Sequence, residues 1–128
     1  MPIGGYVTGL QHVGLPTGNM SKTCSFYEGL GFAKEYETMN GNCRVVFLKL
    51  CNVIIEAYEA SDCAMASGAW NHIALNVTKV GEAYEAVKTA GYRIVSNGIE
   101  TLPFFERGVS FFIIEGPNKE RVEFNQYL

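Results

Sequence analysis

Apolar residues follow a helical period in two stretches of the chain that lie sixty residues apart. In each stretch the apolar positions are separated by four, three and three residues, which puts them on one face of a 3.6-residue helix. The first set is Met20, Cys24, Tyr27 and Leu30, and the second is Val80, Tyr84, Val87 and Ala90. Gly31 and Gly91 follow these sets, where a left-handed residue commonly ends a helix. The pattern predicts two helices at equivalent places.

Strands are predicted on both sides of each helix. His12 and Leu15 coincide with His72 and Leu75 when the sequence is shifted by sixty residues, so an equivalent strand precedes each helix. Runs rich in Val, Ile, Leu and Phe predict later strands at 44–50 and 52–58, and again at 109–114 and 121–125. The stretch 96–108, with its Pro103-Phe104-Phe105, is predicted to be a long loop.

The repetition predicts an α+β fold made of tandem β-α-β-β-β modules. We expect a mostly antiparallel sheet with the helices on one face. The length of 128 residues predicts a single domain, with modules at about 8–58 and 70–126. Residues 59–69 are expected to connect the modules.

The two histidines, His12 and His72, are the only ones in the chain and occupy equivalent positions in the two modules. Strand residues alternate between the two faces of a sheet, so apolar neighbours such as Val13 and Ile73 would face the helices. Both imidazoles are therefore expected on the opposite face.

The last predicted strand of each module carries a carboxylate among apolar residues, Glu56 in the first and Glu123 in the second. An ionised carboxylate there is costly unless it is paired or bound to a metal. A lone strand histidine is more often a core or surface group, and a lone glutamate is usually solvated. The matching positions of both pairs instead predict one divalent ion held by His12, Glu56, His72 and Glu123. This mixed nitrogen and oxygen donor set suits Ni, Zn, Co, Mn or Fe.

Several aromatic residues are candidates for an apolar substrate pocket beside the metal. They are Phe47, Trp70, Phe104, Phe105 and Phe112. For Phe47 and Phe112 the alternative is an ordinary core position. Adjacent aromatic residues in a loop cannot easily both point inward, so one of Phe104 and Phe105 is predicted to act as a lid or pocket residue.

Composition narrows the range of partners. The net charge of −3 provides no basic surface, so we expect neither a nucleic-acid partner nor a membrane partner. Residues 1–9 lack the basic start and apolar stretch of a signal peptide, which predicts a cytoplasmic protein. The cysteines form no CxxC pair, so free thiols are expected rather than a zinc site or disulfides. They are Cys24, Cys43, Cys51 and Cys63.

Four segments of the chain resemble the vicinal oxygen chelate superfamily, and within it glyoxalase I (lactoylglutathione lyase). They are 10–15 (LQHVGL), 25–32 (SFYEGLGF), 70–77 (WNHIALNV) and 115–124 (EGPNKERVEF). The resemblance covers nearly the whole chain, although Glu115 and Gly116 depart from the commoner Asp-Pro opening of the last segment. It implies a curved sheet with a metal site in its cleft. It also implies a homodimer acting on a small-molecule substrate, with metal ligands from one chain or from two.

The ligand set resembles glyoxalase I best among the enzymes of the superfamily. Its dioxygenases use two histidines and one carboxylate, and related acyl-CoA epimerases commonly have Gln where Glu56 stands. The resemblance implies a lyase that converts a 2-oxoaldehyde–thiol hemithioacetal into a 2-hydroxyacyl thioester through an enediolate, as in methylglyoxal detoxification. Glu123 or Glu56 would move the proton.

The thiol and the reaction class are open at this point. Pro16 stands where glutathione-using glyoxalase I enzymes have a basic residue, and Arg44, Arg93 and Arg107 are candidate substitutes. The alternatives are an epimerase or other proton-transfer isomerase, a ring-cleaving dioxygenase, and a metal-free protein that sequesters an antibiotic.

Overall fold

The computed structural model describes residues 2, 6 and 8–128, which form two compact units, Met1–Cys63 and Ala64–Leu128. The predicted module ranges, about 8–58 and 70–126, fall within these units; their union into one domain stays a prediction. Five of the residues 1–9, on which the signal-peptide prediction rests, lie outside the described residues.

The first unit is a four-stranded sheet with one helix. Its elements are β1 (Val13–Thr17), α1 (Met20–Gly29), β2 (Ala33–Asn40), β3 (Cys43–Leu50) and β4 (Val53–Glu59). The strand order is β1-β4-β3-β2, in which β1 is parallel to β4 and the other neighbours are antiparallel.

Helix α1 begins and ends where the apolar pattern predicts. The side chain of Asn19 accepts a hydrogen bond from the backbone N–H of Lys22 at 3.0 Å, which satisfies one of the unpaired donors of the first turn. Gly31 has a φ of +109° just after the helix, a conformation that glycine adopts without strain. Met20, Cys24 and Tyr27 are buried. The predicted apolar face is therefore the one that packs on the sheet.

The second unit repeats this arrangement with one additional strand. Its elements are β5 (His72–Asn76), α2 (Val80–Thr89), β6 (Arg93–Ile94), β7 (Glu100–Leu102), β8 (Val109–Glu115) and β9 (Arg121–Tyr127). The sheet order is β5-β9-β8-β6, and β7 also pairs with β8. The first N–H of α2, on Val80, is satisfied by the side-chain oxygen of Gln126 at 2.9 Å.

The prediction of an irregular loop over 96–108 was wrong in its middle. Residues Glu100–Leu102 pair antiparallel with β8, and the hydroxyls of Thr101 and Ser110 lie 3.1 Å apart. Three residues are too few to show strand alternation in the sequence. This strand forms because β8 offers it a partner.

The predicted α+β class is confirmed. In each unit the helix covers one face of a mixed sheet, and the hydrophobic core lies between that helix and that sheet. Its buried residues include Val46, Leu48 and Ile55 in the first unit and Phe112, Ile114 and Val122 in the second. Within the described part of the chain, neither helix has the length and apolar character that a membrane span requires.

Candidate metal centre

The first histidine–glutamate pair forms between neighbouring parallel strands. His12 lies one residue before β1, and Glu56 lies in β4 opposite Gly14. His12 Nε2 is 3.5 Å from Glu56 Oε1, with both side chains partly exposed. Ile55 and Ala57, on either side of Glu56, are buried toward α1. The carboxylate therefore projects from the face that the helix leaves open, as strand alternation predicts.

The second pair repeats this geometry in its own unit. His72 is the first residue of β5, and Glu123 lies in β9 opposite Ala74. His72 Nε2 is 3.6 Å from Glu123 Oε1. The Glu123 side chain is only 11% exposed, whereas that of Glu56 is 28% exposed. The sequence repeat thus produces two equivalent pairs in differently accessible surroundings.

Amide side chains adjoin both histidines, and the sequence interpretation missed them. Gln11 Oε1 lies 3.0 Å from His12 Nδ1, and Asn71 Oδ1 lies 3.0 Å from His72 Nδ1. In each pair the Nε2 atom is the one that faces the carboxylate. The only available sequence signal was an amide residue directly before each histidine.

The sequence interpretation also missed Asn125, which donates a hydrogen bond to the carboxylate of Glu123. Its Nδ2 donates to Glu123 Oε2 at 2.9 Å, while Oε1 of the same carboxylate faces His72. Asn125 lies two positions after Glu123 and therefore on the same face of β9. The equivalent position in the first unit is occupied by Tyr58, which is exposed.

Phe47 lies beside the first pair. It is paired with Glu56 across β3 and β4, and its ring centroid is 5.8 Å from that of His12, in an edge-on contact. A shallow pocket of about 320 Å³ opens there, lined by Gln11, His12, Glu35, Tyr36, Phe47 and Ile54. Tyr36 and Ile54 were not singled out from the sequence, since only the strand register brings them next to His12.

The other predicted pocket aromatics lie elsewhere. Phe112 is fully buried and stacks on Phe124 at a centroid distance of 4.8 Å, so it belongs to the core under α2 rather than to a pocket wall. Phe104 and Phe105 are both exposed, and Phe105 lines a second pocket of about 440 Å³ formed by its own loop. Trp70 is 93% exposed, two residues before His72. The pocket roles of Phe104, Phe105 and Trp70 stay predictions.

Two of the candidate arginines already have acidic partners. Arg44 Nη2 lies 3.0 Å from Glu37, and Arg93 Nε lies 3.8 Å from Glu115. Arg107 lines the second pocket.

Burial raises the pKa of the Cys24 thiol on α1, which keeps that side chain neutral in the core.

The spacing of each pair fits a shared divalent ion. Two donors bound at ~2.1 Å to one ion lie at most about 4.2 Å apart, and both pairs satisfy this limit. Imidazole nitrogen and carboxylate oxygen are also donors that first-row divalent ions accept. Among residues 2, 6 and 8–128 there is no group of three or more His, Cys, Asp or Glu side chains able to hold a metal ion. Each unit thus supplies two donors, and their binding to one ion stays a prediction.

The sequence and the fold are similar to those of known proteins. Residues 9–124 match the family described as Glyoxalase/Bleomycin resistance protein/Dioxygenase superfamily. The uncharacterized protein YwbC of Bacillus subtilis (strain 168) is 26% identical over 126 aligned residues, covering 91% of this chain and 96% of YwbC.

Solved structures share the fold. The glyoxalase family protein from Enterococcus faecalis has a TM-score of 0.78 at 20% identity, covering 94% of this chain and 98% of that chain. The fosfomycin resistance protein FosX from Listeria monocytogenes has a TM-score of 0.75 at 18% identity, covering 95% of each chain. FosX with Mn(II) and sulfate has a TM-score of 0.71 at 19% identity, covering 95% of this chain and 94% of that chain. The match over residues 9–124 confirms the resemblance at the level of the superfamily, and the chain belongs to the Glyoxalase/Bleomycin resistance protein/Dioxygenase superfamily.

Proposed function

We propose that the protein is a metal-dependent lyase of glyoxalase I type, which converts a 2-oxoaldehyde–thiol hemithioacetal into a 2-hydroxyacyl thioester. In this proposal His12, Glu56, His72 and Glu123 bind one divalent ion, within one chain or between two copies. The observation that carries the proposal is the repeated approach of an imidazole nitrogen to a carboxylate oxygen, at 3.5 Å and 3.6 Å. The Mn(II) complex of FosX supports it, because that protein has a similar fold.

The reaction is an internal proton transfer. The divalent ion that His12, Glu56, His72 and Glu123 would hold would supply Lewis-acid chemistry, which would stabilise negative charge developing on adjacent substrate oxygens. A carboxylate takes the proton from the carbon that bears the sulfur and returns it to the neighbouring carbonyl carbon. The former hemithioacetal carbon becomes the thioester carbonyl, and the former ketone becomes the 2-hydroxyl, so no oxidant is consumed.

The two carboxylates have different surroundings for this task. Asn125 holds one oxygen of Glu123, and that side chain is nearly buried, which favours a fixed ligand. Glu56 is more exposed and lies beside Phe47 and the 320 Å³ pocket. We therefore propose Glu56 as the carboxylate that carries the proton.

The pocket beside His12 favours an uncharged substrate group. Tyr36, Phe47 and Ile54 provide apolar walls, and Glu35 is the one Asp, Glu, Lys or Arg residue among the described lining residues. The two carboxylates of glutathione would gain no cation from this lining. We propose that the bound group is the apolar substituent of the oxoaldehyde or of a small neutral thiol.

Metal-loaded protein tested on a substrate panel would decide the function. Protein stripped of metal is reloaded with Ni, Zn, Co or Mn and given hemithioacetals of methylglyoxal and phenylglyoxal with glutathione or 2-mercaptoethanol. We expect ultraviolet absorbance of a thioester to grow only in metal-loaded samples, and fastest with phenylglyoxal and the neutral thiol. Glu56→Gln is the matched control, since it keeps the size of the side chain and removes the base.

Two results would contradict the proposal. Tight metal binding without thioester formation from any hemithioacetal would exclude the lyase and leave the metal-dependent alternatives, another proton-transfer isomerase or a ring-cleaving dioxygenase. The panel also contains fosfomycin, because a mutant of the fosfomycin resistance protein FosX was solved with Mn(II) and 1S,2S-dihydroxypropylphosphonic acid. Conversion of fosfomycin to that diol, with no thioester chemistry, would replace the lyase by a resistance enzyme.

A further inference from the structure

The amide side chains next to the two histidines make the same contact in both units. The carbonyl oxygens of Gln11 and Asn71 each lie 3.0 Å from the Nδ1 atom of the following histidine. Both amide residues are exposed, so packing in the core does not explain the repeated contact. The repeated feature is the hydrogen bond between each amide and the Nδ1 atom of the following imidazole.

An amide oxygen only accepts hydrogen bonds, so the nitrogen that faces it must carry the proton. A neutral imidazole has one N–H, which leaves the lone pair on Nε2. Nε2 is the atom that faces Glu56 in the first pair and Glu123 in the second. In this tautomer a lone pair and a carboxylate oxygen point at each other, an arrangement that a cation between them would stabilise.

The opposite tautomer fits the distances less well. It would direct an Nε2–H group at the carboxylate over 3.5 Å or 3.6 Å, which is longer than the usual 2.7–3.2 Å of an N–H···O bond. It would also require both amide groups to turn over and donate to Nδ1. The equal geometry in the two units favours the Nδ1–H form in both.

We propose that Gln11 and Asn71 are positioning residues, which hold the proton of each imidazole on Nδ1 so that Nε2 of His12 and of His72 is the free donor for a divalent cation. The proposal rests on the metal site of the proposed function. It goes beyond that site because it assigns the donor atom of each histidine and the residue that selects it. Hydrogen bonds of this kind to the second imidazole nitrogen orient metal-binding histidines and raise their basicity.

The tautomers can be measured without metal. Long-range ¹H–¹⁵N spectra of the metal-free protein, at a pH where both imidazoles are neutral, distinguish Nδ1–H from Nε2–H. We expect the Nδ1–H pattern for both histidines in the unmodified chain. Gln11→Leu should return His12 alone to the Nε2–H form that imidazole prefers in water, and Asn71→Leu should do the same for His72 alone. The histidine of the other unit is the internal control in each variant.

Metal affinity provides the second readout, measured by competition with a chromophoric chelator. Each Leu variant should bind the ion about 10- to 100-fold more weakly, in the range found for such supporting residues. Gln11→Glu and Asn71→Asp keep an acceptor oxygen and should restore the Nδ1–H pattern. Circular dichroism would verify that every variant is folded.

The outcomes separate this inference from the proposed function. An Nε2–H pattern in the unmodified protein, or Leu variants that keep the Nδ1–H pattern, would overturn the positioning role. The expected tautomers and metal binding without thioester formation would leave the positioning role standing and remove the lyase. An unmodified protein that binds no metal would overturn both.

Discussion

The two units place the same two side chains alike and surround them differently. In both, the histidine lies at or one residue before the start of a strand that runs parallel to the one carrying the glutamate, and the His Nε2 to Glu Oε1 distances agree to 0.1 Å. Glu56, however, lies beside an aromatic pocket, whereas Glu123 is nearly buried and held by Asn125. Strand pairing thus sets the donor geometry, and the neighbouring side chains set how each donor can act.

The largest effects test whether the two pairs act as one site. His12→Ala and His72→Ala should each lower metal affinity by well over ~100-fold, more than the loss of a supporting residue causes. Each should also abolish thioester formation. Metal content per chain, measured by elemental analysis, checks this prediction. If either variant retained half of the bound metal, the pairs would be two separate sites.

The second-largest effects are expected from replacing the two carboxylates, Glu56 and Glu123, which we expect to act differently. Glu56→Gln should reduce kcat by ~10²–10⁴-fold, the usual contribution of a general base, with a smaller change in metal affinity. Glu123→Gln should act mainly on metal affinity, because Asn125 restrains that carboxylate as a ligand. Steady-state kinetics at saturating metal separate the two effects. A larger kcat loss in Glu123→Gln would reverse the assignment of the base.

Core and pocket aromatics provide a third contrast. Phe112→Ala should lower the free energy of unfolding by about 3–5 kcal/mol, since it leaves a cavity in the core of the second unit. Phe47→Ala should cost less stability, because Phe47 is only partly buried, and should raise KM for an aromatic oxoaldehyde. Urea unfolding and kinetics with phenylglyoxal check the pair. An unchanged KM in Phe47→Ala would remove this pocket from substrate binding.

The smallest effect concerns the residue two positions after each glutamate. Asn125→Ala should lower the free energy of unfolding by about 1–3 kcal/mol, because it leaves one oxygen of a nearly buried carboxylate without its donor. The matched variant in the first unit, Tyr58→Phe, should change the free energy of unfolding little, since Tyr58 is exposed. Equal losses in thermal or urea unfolding would argue that the two positions are equivalent after all.

Regular periodicity made the helices predictable. The spacing of Met20, Cys24 and Tyr27 depends only on the helical period. The face of the sheet on which Glu56 and Glu123 lie was predictable for a related reason, because strand alternation assigns a face without knowledge of the partner strand. Their binding of a metal ion stays a prediction. The strand β7 was not predictable, since its three residues acquire their conformation from β8.

The sequence alone determined the repeat, the two helices and, within each unit, the face of the sheet on which the histidine and the glutamate lie, because periods of 3.6 and 2 are properties of the local chain. Tertiary structure decided which residues surround each pair. Phe47 reaches His12 and Phe112 enters the core through strand register and helix packing, which bring together residues far apart in the chain. Local periodicity contains no information about such partners.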